Sequence, residues 1–211
     1  MDNHIIFLFA GNPPHLITLH SNLLPMATVT YLHSRFHEQR FCYLPEEDPE
    51  IVNLWRLFLY TSNIYSDNEA ADQDTADDGE ESHADGEWTK LAHAYFFGKM
   101  VKDEAFCNAC ITALIEKVKE TGRFPTGIAS EVYAYTKRGD PLRELIVRLH
   151  VHIGEGTCIE DPHEDAEGPA VFLADVRRRL RKAKSTDWEY KSEWKDACGF
   201  HRHRTTELCR K

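Results

Sequence analysis

No stretch of 18 or more apolar residues occurs in this chain of 211 residues, a lack that excludes a membrane-spanning helix of ordinary length. The apolar opening IIFLFAG is short and has no basic residue ahead of it, so it is not read as a secretion leader. Without a leader, the six scattered cysteines are expected to stay reduced inside the cell, in cytoplasm or nucleus. Also missing are a Gly-rich phosphate loop, a G-x-S-x-G elbow and an H-E-x-x-H helix. The twelve histidines are scattered, and His150 and His152 flank Val151 on an expected helix, where they diverge. The chain therefore reads as a non-enzyme without a cofactor.

Charge of one sign is missing locally. Residues 67–87 hold ten Asp or Glu and no Lys or Arg, and the remainder carries 25 acidic and 25 basic residues. The net charge of −10 is thus a property of one stretch, and neither nucleic acid nor membrane is expected as a partner. Low hydrophobicity and Gly and Ala spacers predict that 67–87 is a disordered acidic insertion.

What is present orders itself around residues 41–65. A short strand over Phe41–Leu44 is followed by Asp48, a good N-cap, and by Pro49 at the first helical position. The helix that follows is apolar on nearly every side, through Ile51, Val52, Leu54, Trp55, Leu57, Phe58, Leu59 and Tyr60, which predicts the centre of a domain. Ahead of it, Ile5–Ala10 and His15–His20 flank the turn chemistry Gly11-Asn12-Pro13-Pro14 and predict a hairpin. Ser21-Asn22-Leu23-Leu24 reads as a capped helix start. Residues 88–101, with Trp88, Leu91, Ala92, Tyr95 and Phe96 on one side, and 103–119, with Phe106, Cys110, Leu114 and Val118 a turn apart, predict two further helices. Two more are expected over 125–153, one aligning Ile128, Val132 and Tyr135, the other starting at Asp140-Pro141. An acidic linker over 154–169 then leads to an amphipathic helix over 170–184, with Phe172, Val176 and Leu180 on its apolar face, and to a polar tail. Strands early and helices late predict an α+β fold, a small sheet flanked by a cluster of helices.

The run Leu44-Pro45-Glu46-Glu47-Asp48-Pro49-Glu50, followed by Phe58-Leu59-Tyr60-Thr61, resembles the centre of a fungal BTB/POZ domain, whose motif is close to LPEDDPE…WLYTG. Its flanks fall in the family's order. Leu19-His20 stands for a strand ending in VH, Leu23-Leu24 for a K-D-L-L helix, and Thr28 with Tyr31 replaces S-x-x-F. Trp88, Leu91, Tyr95, Val101, Phe106, Asn108 and Leu114 occupy places of the two later helices, where Gly98-Lys99 departs from the usual Ala-Asp and is expected to affect only the helix exit. The resemblance implies a BTB/POZ domain over 1–122, a helical extension over 123–153, the linker over 154–169, and the amphipathic helix and Cys/His tail over 170–211. It implies an oligomerising protein-interaction scaffold, pairing with itself or another BTB protein through Leu23, Leu24, Tyr31, Phe36 and Glu38. The alternative it implies is a substrate adaptor or component of a cullin-RING ubiquitin ligase, in which Phe36 and Glu38 meet a cullin; the plain reading of those two residues is a core aromatic beside a solvated carboxylate.

Three other features invite chemistry. Cys198, His201, His203 and Cys209 are zinc-ligand types and four such groups close a tetrahedral site, but His201 and His203 stand closer than the usual spacing of about three to five; the alternative is a frayed tail with chance Cys and His. Cys107-x-x-Cys110 has redox spacing without the preceding strand or helix N-terminus that lowers a thiol pKa, so both are expected in core-facing or half-buried positions of an amphipathic helix. RRRLRKAK over 177–184 is either a nuclear-import or nucleic-acid patch or the solvated face of an amphipathic helix, the reading that the interleaved Val176 and Leu180 support.

Overall fold

The computed structural model describes residues 4–36, 41–65, 80–123, 127–152, 170–183 and 194–203. The chain is α+β and mostly helical, with a three-stranded mixed sheet and, among the described residues, seven α-helices. It separates into two units, residues 1–110 and 111–211.

In the first unit, β1 (Ile5–Ala10) and β2 (His15–His20) form the expected antiparallel hairpin, and β3 (Phe41–Leu44) adds parallel to β1, giving the order β2-β1-β3. Gly11 opens the hairpin turn at φ +78°, and a Cβ there would lie 2.8 Å from Pro49 Cγ, so both the backbone and the space call for glycine. Leu8, Ala10, Ile17, Leu19, Cys42 and Leu44 turn to the core as the period of two dictates. Ser21–Leu23 is a single 3-10 turn rather than the start of a longer helix; α1 (Met26–Phe36) begins after Pro25.

Helix α2 (Pro49–Thr61) starts as its sequence dictates: Asp48 Oδ1 accepts from the Glu50 amide at 2.8 Å, with Pro49 in the first turn. It ends on Ser62 at φ 59°, whose amide reaches the Phe58 carbonyl. Its burial is not all-round. Ile51, Val52, Leu54 and Trp55 are buried, whereas Leu57, Phe58 and Leu59 are half-buried and Tyr60 is exposed. The first turns pack on sheet and α3, and the last turn runs toward solvent, where the Tyr60 hydroxyl holds His20 Nδ1 at 2.6 Å.

Helix α3 spans Glu80–Val101, so residues 80–87 are helical and the expectation of disorder through 87 fails there; 67–79 lie outside the described residues. Trp88, Leu91, Tyr95 and Phe97 are buried; it is Phe97, not Phe96, that completes the core face, with its ring 5.4 Å from that of Trp55. Asp103 links the next helix, α4 (Glu104–Thr121), to α2: Oδ1 accepts from the Phe106 amide at 3.0 Å and Oδ2 from Trp55 Nε1 at 2.9 Å.

In the second unit, Ile111, Leu114, Ile115 and Val118 of α4 are buried. Helix α5 covers only Ala129–Tyr135; Ile128 and Val132 are buried but Tyr135 is 69% exposed, so the expected line of three breaks at its last member. Helix α6 (Pro141–His152) buries Leu142, Leu145, Ile146, Val147, Leu149 and Val151, and Asp140 Oδ1 caps it through the Leu142 amide at 3.1 Å. Helix α7 (Ala170–Ala183) lays Phe172 and Val176 against α5 and α6. The tail is not frayed over 194–203: Trp194 and Phe200 are buried, a 3-10 turn over Ala197–Phe200 packs on α6, and the Arg148 guanidinium stands 4.7 Å above the Phe200 ring.

Candidate functional site: the outward sheet face

The side of the sheet away from the core follows from the same alternation. Phe7 pairs with Phe41 and Phe9 with Tyr43 across β1 and β3, while Leu16, Thr18 and His20 stand opposite Phe9, Phe7 and Ile5 across β1 and β2. The rings form a ladder: Phe7 and Phe41 stack with centroids 5.4 Å apart, Phe9 and Tyr43 at 5.0 Å, and Phe9 lies 6.3 Å from Phe41. No Asp, Glu, Lys or Arg occupies these outward strand positions.

The face is open. Ile5 is 46% exposed, Leu16 57%, Phe41 45% and Tyr43 59%. At roughly 200 Å² for a whole aromatic residue, Phe41 and Tyr43 alone leave on the order of 200 Å² in water. With Ile5, Leu16 and the half-buried Phe7 and Phe9, the patch reaches the size at which an apolar surface is often functional. It is apolar and free of Asp, Glu, Lys and Arg, and backbone pairing holds both sides of β1.

Other candidate residues distribute differently. Leu24 is buried and serves the core, Leu23 and Tyr31 are half-buried, and Thr28 is fully buried. The side chain of Phe36, and Glu38, lie outside the described residues. In the tail, Cys198 Sγ and His203 Nε2 approach to 3.4 Å, whereas His201 Nε2 meets the Thr112 hydroxyl at 2.9 Å, and Cys209 lies outside the described residues. Among the described residues no group of three His, Cys, Asp or Glu is arranged to hold a metal ion. Cys107 and Cys110 are buried, as their place on an amphipathic helix implies, and burial, with Cys107 and Asp103 nearby, pushes the Cys110 thiol well above its usual range. Burial alone raises the Cys42 thiol to about 11. Neither is a poised thiolate.

The aromatic ladder is not singled out by periodicity, because IIFLFA is apolar at every position and alternation has nothing to contrast. The available signal was in β3, where Phe41 and Tyr43 alternate with Cys42 and Leu44. Among the described residues no helix is long and apolar enough to cross a membrane. What fold and surface define is a class: a small mixed sheet, cored on one side by helices and presenting aromatic rings on the other. Compared with protein-family models, curated proteins and solved structures, the chain matches none.

Proposed function

We propose that this chain is a protein-interaction module of BTB/POZ type, working inside the cell as an oligomerising scaffold, and that a second copy of itself covers the outward face of its sheet. The observation that carries the reading is the uncharged ladder Phe7, Phe9, Phe41 and Tyr43 left open to solvent. A face without charge has no sign to match and is complementary to itself, which is what a two-fold symmetric contact requires. The BTB/POZ assignment rests on the motif around Asp48-Pro49 and on the order of strands and helices; Asp48 caps α2, and of the residues that match the family's later helices Trp88, Leu91, Tyr95, Val101, Phe106 and Leu114 are buried while Asn108 is half-buried. Another protein of the same type is the second partner class that the resemblance implies.

Magnitude sets the kind of association. The exposed patch of a few hundred Å² is well short of the roughly 800 Å² per partner of a standard stable interface, so pairing through this face alone is reversible and depends on concentration. Replacing both exposed rings, Phe41→Ser with Tyr43→Ser, is expected to return the protein to a single chain in light scattering while circular dichroism stays that of the parent. A double variant that still associates like the parent contradicts the proposal.

A further inference from the structure

The second unit contains a cleft of about 460 Å³ where α7 crosses α6 beside the turn from α5. Its cations are Arg138 in that turn, Arg143 and Arg148 on α6, and Arg178, Arg179 and Lys182 on α7. Three carboxylates, Asp140, Glu144 and Asp175, share the lining. Each already serves the fold: Asp175 accepts from the Tyr133 hydroxyl at 2.9 Å and pairs with Arg178 at 2.7 Å. Glu144 pairs with Arg148 at 2.7 Å and Arg179 at 3.6 Å, and Asp140 caps α6. The lining thus carries six positive groups against three negative ones.

Arg143 shows which of these heads is structural. Its Nε donates to the Thr136 hydroxyl at 3.1 Å and its Nη2 to the Tyr133 and Thr136 carbonyls, and it lies 4.0 Å over the Tyr133 ring. It therefore closes the end of α5, adding charge to the cleft while its Nε and Nη2 donors are used. Arg138, in an exposed turn, and Arg178, half in solvent with one nitrogen paired to Asp175, line the cleft from two elements. Guanidinium forks suit planar or tetrahedral oxyanions with two acceptor oxygens. The volume exceeds that of a bare phosphate ion and lies in the range of small-ligand pockets.

We infer that this cleft is an anion-binding site for a phosphate monoester dianion, with Arg138 and Arg178 as its recognition groups. It is independent of the sheet face and of the BTB/POZ reading. The phosphate group comes either from a small phosphorylated molecule or from a phosphorylated peptide side chain, and both present the same chemistry to the two guanidiniums.

Calorimetric titration of the whole chain at low ionic strength, with glycerol 3-phosphate in one arm and a phosphoserine peptide and its unphosphorylated counterpart in the other, tests this. Saturable one-to-one binding in either arm supports the site, and the arm that binds identifies the source. Arg138→Gln and Arg178→Gln should each weaken binding by tenfold or more. Arg177→Gln, exposed on the same helix but not lining the cleft, should leave it unchanged. Arg138→Gln changes an exposed turn residue and keeps the test valid if Arg178→Gln disturbs α7. No saturable binding in either arm, or equal loss with Arg177→Gln, overturns the inference.

Discussion

Gly98 shows how one missing side chain sets a distance. A Cβ there would fall 2.9 Å from Cys107 Sγ and 3.0 Å from Phe106 Cδ1, and both neighbours are buried with nowhere to retreat. Alanine improves an exposed helix by about 1 kcal/mol over glycine, but overpacking a core costs about 1–3 kcal/mol, so the clash wins. Gly98→Ala is expected to lose on the order of 1 kcal/mol in urea unfolding; equal or greater stability would show that the approach of α3 to α4 is not limited here. From sequence, Gly98-Lys99 looked like a change at a helix exit only, since nothing local reveals which neighbour will sit opposite. His150 is a second residue whose environment decides its behaviour. Burial lowers its pKa from the ordinary 6.5, although the Ile146 carbonyl 2.8 Å from Nδ1 favours the charged form, and its ring abuts Phe172 at 4.8 Å. The unfolded chain thus takes up a proton that the folded chain resists, so His150's contribution to stability is present above pH 6.5 and is lost as pH falls below it. Unfolding free energy measured from pH 7.5 downward should decline less steeply in His150→Gln than in the parent; parallel curves would refute the assignment.

At the scale of elements, Asp103 joins what sequence reading kept apart. Its carboxylate caps α4 and holds the indole of Trp55 in α2, in a site that is 1% exposed. Asp103→Ala leaves the indole N–H and a helix amide buried without acceptors, for an expected loss of about 2–4 kcal/mol. Asp103→Asn, with one carbonyl oxygen to offer, should lose less. Equal losses for the two in chemical denaturation would mean that packing, not hydrogen bonding, is what Asp103 supplies. Elements with their own local signals were legible: the hairpin from Gly11-Asn12-Pro13-Pro14, β3 from its alternation, α2 from Asp48-Pro49, and α6 from Asp140-Pro141. Elements decided by distant contacts were not. The start of α3 at Glu80 is hidden inside an acidic run whose composition argues against structure, and the order of 194–203 rests on the turn at 197–200, with Phe200, finding α6. The same holds for the candidate sites. The acidic and basic stretches were visible as charge, but the ring ladder depends on strand pairing and the cleft on a helix crossing.

For the whole molecule, the sheet's two faces divide its roles. The inner face supplies Leu8, Ile17, Leu19 and Leu44 to the core, and the outer face keeps Phe41 and Tyr43 in water. The strands are short and their outward positions lack the charges that usually keep a sheet surface solvated, which is the basis of the proposal that a second copy covers this face. The most direct measurement of that claim is the mass of the purified full chain by light scattering across a concentration series. The account predicts a mass that rises with concentration from 24.4 kDa toward that of a pair. A mass that stays at 24.4 kDa up to the highest concentration reached would contradict it.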